Sequence, residues 1–523
     1  MIRNTMIRIA TIRRTSAYGA ITRRAAASLL SLGLLLAAVA GVAQQAAPQQ
    51  SNPLTAVLPL TTKSPEALRL VQEALNLYLD RVEQAQAIEI LRKAVKVDPD
   101  FAMGHEFLAQ ISLDSAEQVS EQEKAFAARN HATSSEQLVI EWYQDAADHK
   151  LISAITKMND VLGQYPRDKW VVWMTTWWLQ NQAQYERVIA VYEHSGITDS
   201  PGLINNIGYN YAYLRQFDKA FEMMDKYVAA MPNDSNPQDS YAEILRLAGR
   251  FNQSIEHYRA SLVINPQFYS SQFGMADTYS LMGDQARARK EYEIGFQKFI
   301  LPELQQILWR TREAATYVRE GDNEGAERAL QVIADYAHSR QNSQAEADTY
   351  RQMAMCQQNP KQALVFLGKA EAATQDGKNA LKIAITQELA QILRARVEVA
   401  LKMGNKEMAN SNLQRLTAMS ESANDKLIEL AYHGAAGAVL FSEHKYDKAI
   451  SHLEEDATNP FSLKLLAVAY QKIGYSAGAK RTTDTLTNLN DPTLEQALVV
   501  PAFRKCGEGS SCGGDAKSAT LKH

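Results

Sequence analysis

The sequence predicts an all-α solenoid of stacked helix-turn-helix units, and three observations point to it. A signature of Gly or Ala, Tyr three residues later, Ala nine further on and Pro twelve after that recurs, most clearly as Gly208, Tyr211, Ala220 and Pro232. The copies keep one period: Ala242, Leu245, Ser254 and Pro266 repeat the offsets, Ala276, Tyr279 and Ala288 begin them again, and Pro232 and Pro266 stand 34 residues apart. Alternating apolar runs bounded by turns, the mark of strands, are almost missing. The signature has a physical basis. Small residues let the two helices of a unit approach, and large ones fill the space between successive units. Proline ends the second helix, because it lacks an amide hydrogen and clashes with the preceding turn. One unit alone buries too little surface, so several must stack.

Taken in order, residues 1–43 carry six arginines (Arg3, Arg8, Arg13, Arg14, Arg23, Arg24) and no Asp or Glu. An apolar run at 25–39 follows and ends in Ala-Gly-Val-Ala before Gln44, which predicts a cleaved signal peptide and a mature chain starting at Gln44. The alternative is an uncleaved anchor, since the 19 residues 25–43 border on spanning length. The Arg23-Arg24 pair is followed by three alanines where a twin-arginine signal has bulky apolar residues, and no cysteine lies near the cleavage site to mark a lipoprotein. Residues 44–63, rich in Gln, Pro, Ser and Thr, read as a flexible lead-in. A first unit at about 65–100 places Tyr78, Ala87, Leu91, Ala94 and Pro99 at the expected offsets. Residues 101–133 start like a second unit with Phe107 and Leu108, but the charged stretch 115–124 departs from the pattern and reads as a degenerate or extended pair. At 135–167 a unit with Ala154, Met158, Val161 and Pro166 has Trp142 where a small residue is expected. Four units with few insertions run from 169 to about 300. Beyond them the small residues Ala326, Ala363, Ala409, Ala449 and Ala479 are spaced 37, 46, 40 and 30, which suggests longer helices or a change of superhelix direction near 340–380. Gly321-Asp322, Gly404-Asn405 and His444-Lys445-Tyr446 occupy tight turns within units, where Gly or Asn tolerates positive φ. The expected organisation is an N-terminal solenoid at 64–300, a more divergent one at 301–490, roughly eleven or twelve helix pairs in all, and a disordered tail at 491–523.

The period and residue set resemble the tetratricopeptide repeat, a two-helix unit. The resemblance implies a right-handed superhelix that serves as a binding scaffold and is rarely itself catalytic. It also implies that positions two, five and nine of the first helix in each unit line the concave groove. In the unit starting at 169 those positions hold Trp170, Trp173 and Trp177, at i, i+3 and i+7 on one helical stripe. The following units put Asn205, Tyr209 and Tyr213, then Asp239, Glu243 and Arg246, then Phe273 and Asp277 on the same face. Trp and Tyr anchors among polar groups suit a peptide or protein partner. The competing reading makes the tryptophans core between units. The carboxylate-clamp mode of such repeats, which holds acidic C-terminal tails, is disfavoured because Asn205 and Arg246 supply only fragments of it and Asp239 and Glu243 would repel such a tail.

No catalytic constellation is visible. The sequence has no P-loop lysine motif, no G-x-S-x-G elbow, no G-x-G-x-x-G and no H-E-x-x-H, so neither an enzyme, a cofactor nor a metal is expected. His444 and His452, eight residues apart, lack a carboxylate at ligand spacing. Cys506 and Cys512 flank Gly-Glu-Gly-Ser-Ser, for which a small disulfide loop, two free thiols and a metal site are the alternatives, the disulfide favoured. Cys356, in an apolar run, reads as a buried small hydrophobe. Loss of 1–43 would take the net charge from −4 to −10, with 49 basic against 59 acidic residues, which argues against nucleic acid as a partner. The sequence thus predicts a non-catalytic protein-interaction scaffold, periplasmic or secreted. An inner-membrane-anchored assembly factor is the alternative, with membrane contact only if the first helix is uncleaved, and an enzyme with unrecognised chemistry is the third and least favoured reading.

Overall fold

The computed structural model of the protein describes residues 56–81 and 83–507. The expected signal peptide, the first part of the lead-in and the Cys506–Cys512 disulfide lie outside the described residues. The described chain folds into helix pairs: α1 (Pro65–Leu79) with α2 (Gln84–Val97), α3 (Ala102–Ile111) with α4 (Ser115–Ala128), and α5 (Ser134–Ala147) with α6 (Leu151–Gln164). Next come α7 (Lys169–Asn181) with α8 (Tyr185–Ser195), α9 (Pro201–Tyr213) with α10 (Phe217–Ala230), α11 (Ser235–Leu247) with α12 (Phe251–Ile264), and α13 (Tyr269–Met282) with α14 (Gln285–Lys298). The longer helices follow: α15 (Glu303–Glu320) with α16 (Asn323–Ser339), α17 (Ser343–Cys356) with α18 (Pro360–Asp376), α19 (Lys382–Lys402) with α20 (Lys406–Ala423) and α21 (Lys426–Ser442) with α22 (Tyr446–Glu455). A last pair, α23 (Pro460–Lys472) with α24 (Ser476–Thr487), precedes a single helix, α25 (Leu494–Gly507). Each odd helix packs on the even helix after it, and each even helix on the next odd one, which makes an all-α solenoid. Odd helices also touch one another from pair to pair and line the inner face.

The small residues do what the period requires. Ala220, Ser254 and Ala288 are fully buried between the helices of their pairs, as are Ala326, Ala363 and Ala409 in the looser half. Gly208 permits a close approach within its pair: a Cβ there would stand 2.3 Å from Cε of Met224. Pro99, Pro232 and Pro266 each follow the end of an even helix by two residues. The turns inside pairs carry a left-handed residue at one recurrent place, held by Gly249, Gly283, Gly321, Gly404 and Gly474 but by His149, Ala183, Arg215 and His444 elsewhere. Trp142, where a small residue was expected, is wholly buried and stacks on Tyr143 at 4.6 Å between ring centroids. The charged stretch at 115–124 is helical, within α4.

Two expectations about the ends are corrected. Residues 56–63 of the lead-in are docked against the solenoid: Leu58 is buried, its N–H donates to Oδ2 of Asp168 at 2.9 Å, and the Thr61 N–H and hydroxyl donate to Glu136 at 2.6 and 2.7 Å. Asp168 and Glu136 already cap α7 and α5, so a helix N-terminus with a spare carboxylate oxygen accepts the extended strap. Of the tail expected to be disordered at 491–523, the described part, up to residue 507, forms α25. It packs Val499 and Val500 with Leu463, Leu486 and Leu489 of the last pair and sets Leu494 and Ala497 into the core around α15 and α19.

The superhelix is tight enough for distant pairs to meet. The end of α1 packs on the start of α9, where Lys169 Nζ lies 2.7 Å from Oδ2 of Asp80 and Ser200 Oγ donates to Oδ1 of the same carboxylate at 3.2 Å. The turn inside the second pair meets the start of α15, with Leu304 N–H donating to the Leu113 carbonyl at 3.2 Å and Ser115 Oγ to Glu303 at 2.8 Å. Arg504 on α25 donates to the carbonyls of Leu281 and Leu489, and Asn490 to that of Leu247.

Candidate partner-binding groove

The inner face begins at α7, whose start is fixed by Asp168 accepting from the backbone N–H groups of Trp170 and Val171 at 2.8 and 3.0 Å. From that start the three tryptophans diverge. Trp170 turns toward α3 and meets Phe107 edge-on, with Lys169 over its ring. Trp173 is only 5% exposed, wedged edge-to-face against Tyr78 of α1 at 5.1 Å, while half-buried Trp177 stacks on it at 6.1 Å. On α9, Tyr209 leans on Tyr213, which in turn leans on Tyr185.

Because α1 crosses to α9, this stretch of the inner face is a partly roofed cavity of about 480 Å³. Six residues singled out from the sequence line it: Trp173, Trp177, Asn205, Tyr209, Tyr213 and Asp239. Trp170, Glu243, Arg246, Phe273 and Asp277 do not line it. The last four form the wall behind. Arg246, 1% exposed, donates to Oε1 of Glu243 at 2.8 Å and to Oδ2 of Asp277 at 2.9 Å, and the same Asp277 oxygen accepts from Arg312 while Tyr292 donates to its other oxygen. Tyr209 donates to Oε2 of Glu243 at 2.6 Å and ties the cavity lining to that network. Phe273 is fully buried and stacks on Trp309 at 5.0 Å. Positions five and nine grow more buried along the chain, from Asn205 and Tyr209 of α9 at 5% and 4% exposed to Phe273 and Asp277 of α13 at 0%.

The roof was invisible to sequence reasoning. Tyr78 and Leu79 from α1 and Gly202 at the start of α9 line the cavity, and a Cβ on Gly202 would stand 1.8 Å from the Leu79 carbonyl oxygen. The one signal available was a glycine directly after Pro201 at a helix start, where glycine is an unusual choice. A second cavity of about 300 Å³ lies among odd helices of the later pairs, with Arg312, Asp348, Arg351 and Glu388 in its wall. Gln180 and Tyr213 line both cavities, so they form one track along the inner face.

Electrostatically the first cavity is distinguished by Asp239. Burial pushes its carboxyl up to about 7, with neighbouring Glu243 adding to the rise, and the Ser271 hydroxyl, donating at 2.7 Å, and Arg246 offset it only in part. Among the described residues no group of three or more His, Cys, Asp or Glu is arranged to hold a metal ion. His452 pairs with His433, Nδ1 to Nδ1 at 3.1 Å, and not with His444. Cys356 is buried, and burial pushes its thiol up to about 12.

No protein-family model matches the chain, and no curated protein matches it. Among solved structures the chain is similar to a tetratricopeptide repeat protein from Parabacteroides merdae, at 14% identity over 51% of this chain and 92% of that one, with a TM-score of 0.34. It is similar to yeast Tom70 at 13% identity over 87% and 99% of the two chains, TM-score 0.36. A human IFIT1 dimer with m7Gppp-AAAA is similar at 14% identity over 83% and 98%, TM-score 0.36.

Proposed function

We propose that this chain is a non-catalytic scaffold of tetratricopeptide-repeat type that holds a peptide or protein partner in the groove formed by its odd helices. The observation that carries the reading is the cavity lined by Trp173, Trp177, Tyr209 and Tyr213, a cluster of the residue types that anchor interfaces, in a wall of amide side chains. Its continuation past Gln180 and Tyr213 suits an extended segment. The acid-free, arginine-rich leader supports a bacterial cell-envelope location with the mature chain starting at Gln44. Retention of Met1 in protein recovered from the envelope would favour the membrane-tethered alternative. Among the described residues no helix is long and apolar enough to cross a membrane.

The test separates the two stacked tryptophans. Trp177→Ala is expected to leave the melting temperature within a few degrees of the parent and to weaken capture of any partner the parent enriches. Trp173→Ala, at a buried site, is expected to cost about 3–5 kcal/mol of stability. A folded Trp177→Ala protein that captures the same partners undiminished would place binding elsewhere.

A further inference from the structure

The salt bridges behind the cavity leave one carboxyl group aside. Of the three carboxylates Asp239, Glu243 and Asp277, the last two are salt-bridged to Arg246 and Arg312, and buried Arg319 also lies within electrostatic reach of Asp277. Asp239 is 5% exposed, accepts from Ser271, lines the cavity, and has no ion-pair partner among the described residues. A buried carboxylate without a counter-ion is costly, so a cation supplied from the cavity side stabilises the ionised form of Asp239. Asn205 stands one repeat earlier, 34 residues before Asp239 and at the same place on its helix. It too is 5% exposed and lines the cavity, and its Oδ1 accepts no hydrogen bond. An unmet buried acceptor is a second, independent demand for a donor. The rest of the wall agrees: half-buried Trp177 and Tyr213 present ring surface, and among the described residues the one cation in the lining, Arg81, is paired with Glu83 at 2.8 Å.

We propose that the cavity takes the ammonium or guanidinium group of a basic side chain on an extended partner peptide, with Asp239 as counter-ion, Asn205 as acceptor and Trp177 and Tyr213 as aromatic walls. This deepens the groove reading and rests on it. A peptide is the source that the mouth favours, because exposed Asn233, Asn265 and Gln267 rim it with paired donors and acceptors of the kind a peptide backbone needs.

Selection of a random heptapeptide display library on the full chain tests the proposal, followed by titration of the winners against Asp239→Asn, Asn205→Ala and Trp177→Ala. The wild type is expected to enrich peptides with a Lys or Arg whose replacement by norleucine weakens binding at least about tenfold. Asp239→Asn should erase that discrimination while leaving the norleucine peptide within about twofold and the melting temperature no lower; should that variant fail to fold, Asn205→Ala is read in its place. Enrichment of apolar or acidic peptides lost in Trp177→Ala would overturn the cation inference and leave the groove reading standing. No enrichment, or enrichment indifferent to all three substitutions, would overturn both. Free n-butylammonium binding as tightly as the selected peptide would replace the peptide by a small amine and refute the source proposed.

Discussion

At the scale of single residues, burial raises several acids in this fold above the ordinary carboxylate range, and that fixes how stability answers to pH. Glu106 on α3 is wholly buried and accepts from the amides of Gln110 and Gln122 at 2.9 and 3.0 Å, yet burial still pushes its carboxyl up from 4.5 to about 8. Between those values the folded protein keeps a proton that the unfolded chain releases. Stability from this group is therefore fully present below 4.5 and is lost as pH rises through about 8, at up to about 1.4 kcal/mol per pH unit. Asp239 and Asp456, pushed up to about 7 and about 6, act in the same direction. The acids held below their ordinary range, Asp98, Glu121 and Asp145, give stability that is lost only as pH falls below the ordinary carboxylate range, outside this window. Burial holds His257, His433 and His452 below 6.5 and so acts in the opposite direction up to that pH; melting temperature is accordingly expected to fall from about pH 7 to 8, and Glu106→Gln to make the fall shallower. A Glu106→Gln protein with the parent's slope would show that the proton resides elsewhere.

At the scale of the helix, α25 is the element on which the later half depends. It covers Leu463 and Leu486 on one side and reaches the core of α15 and α19 on the other. Ending the chain after residue 490 removes the buried side chains of Leu494, Val499 and Val500, each contributing about 1.5–3 kcal/mol. The shortened protein should melt at least several degrees lower, with faster amide exchange in α15 and α23; equal exchange in both helices would contradict this role. The pairs themselves were legible in the sequence, because Ala220, Ala326 and Ala409 mark a local need, the closeness of two helices adjacent in the chain. Helix α25 was not, since it has no partner helix to impose that spacing and Pro501 interrupts its pattern. The strap at 56–63 escaped for a similar reason: Thr61 and Leu58 answer carboxylates of Glu136 and Asp168, 75 and 110 residues away. For the groove, the resemblance to the tetratricopeptide repeat implied which positions of each first helix line it, so Trp173, Asn205 and Asp239 were singled out together. It did not tell that Phe273 and Asp277 would be sealed behind them, which depends on twist accumulated over several pairs.

At the scale of the whole molecule, the solenoid is not a chain of independent neighbours. Stacked repeats usually interact only with the pairs beside them; here the first pair meets the fifth, and the second meets the eighth. Gly202→Ala isolates the first closure, because the atom its Cβ would strike is a backbone carbonyl oxygen that no rotamer change can move aside. The variant should open α1 from α9, raising amide exchange in α1 and α2 well above that in α11 to α14 and lowering the melting temperature. Unchanged exchange in α1 would mean that the two helices do not depend on the contact. The same meeting of Leu79 with Gly202 also sets an order of events in time. Its partners lie about 120 residues apart, so a ribosome adding roughly 5–20 residues per second finishes α1 some 6–24 seconds before α9 exists to receive it. An early-made helix thus waits for a later one before it reaches its final place, and throughout that interval Tyr78 and Leu79 stand uncovered, open to any chaperone that recognises apolar helix ends.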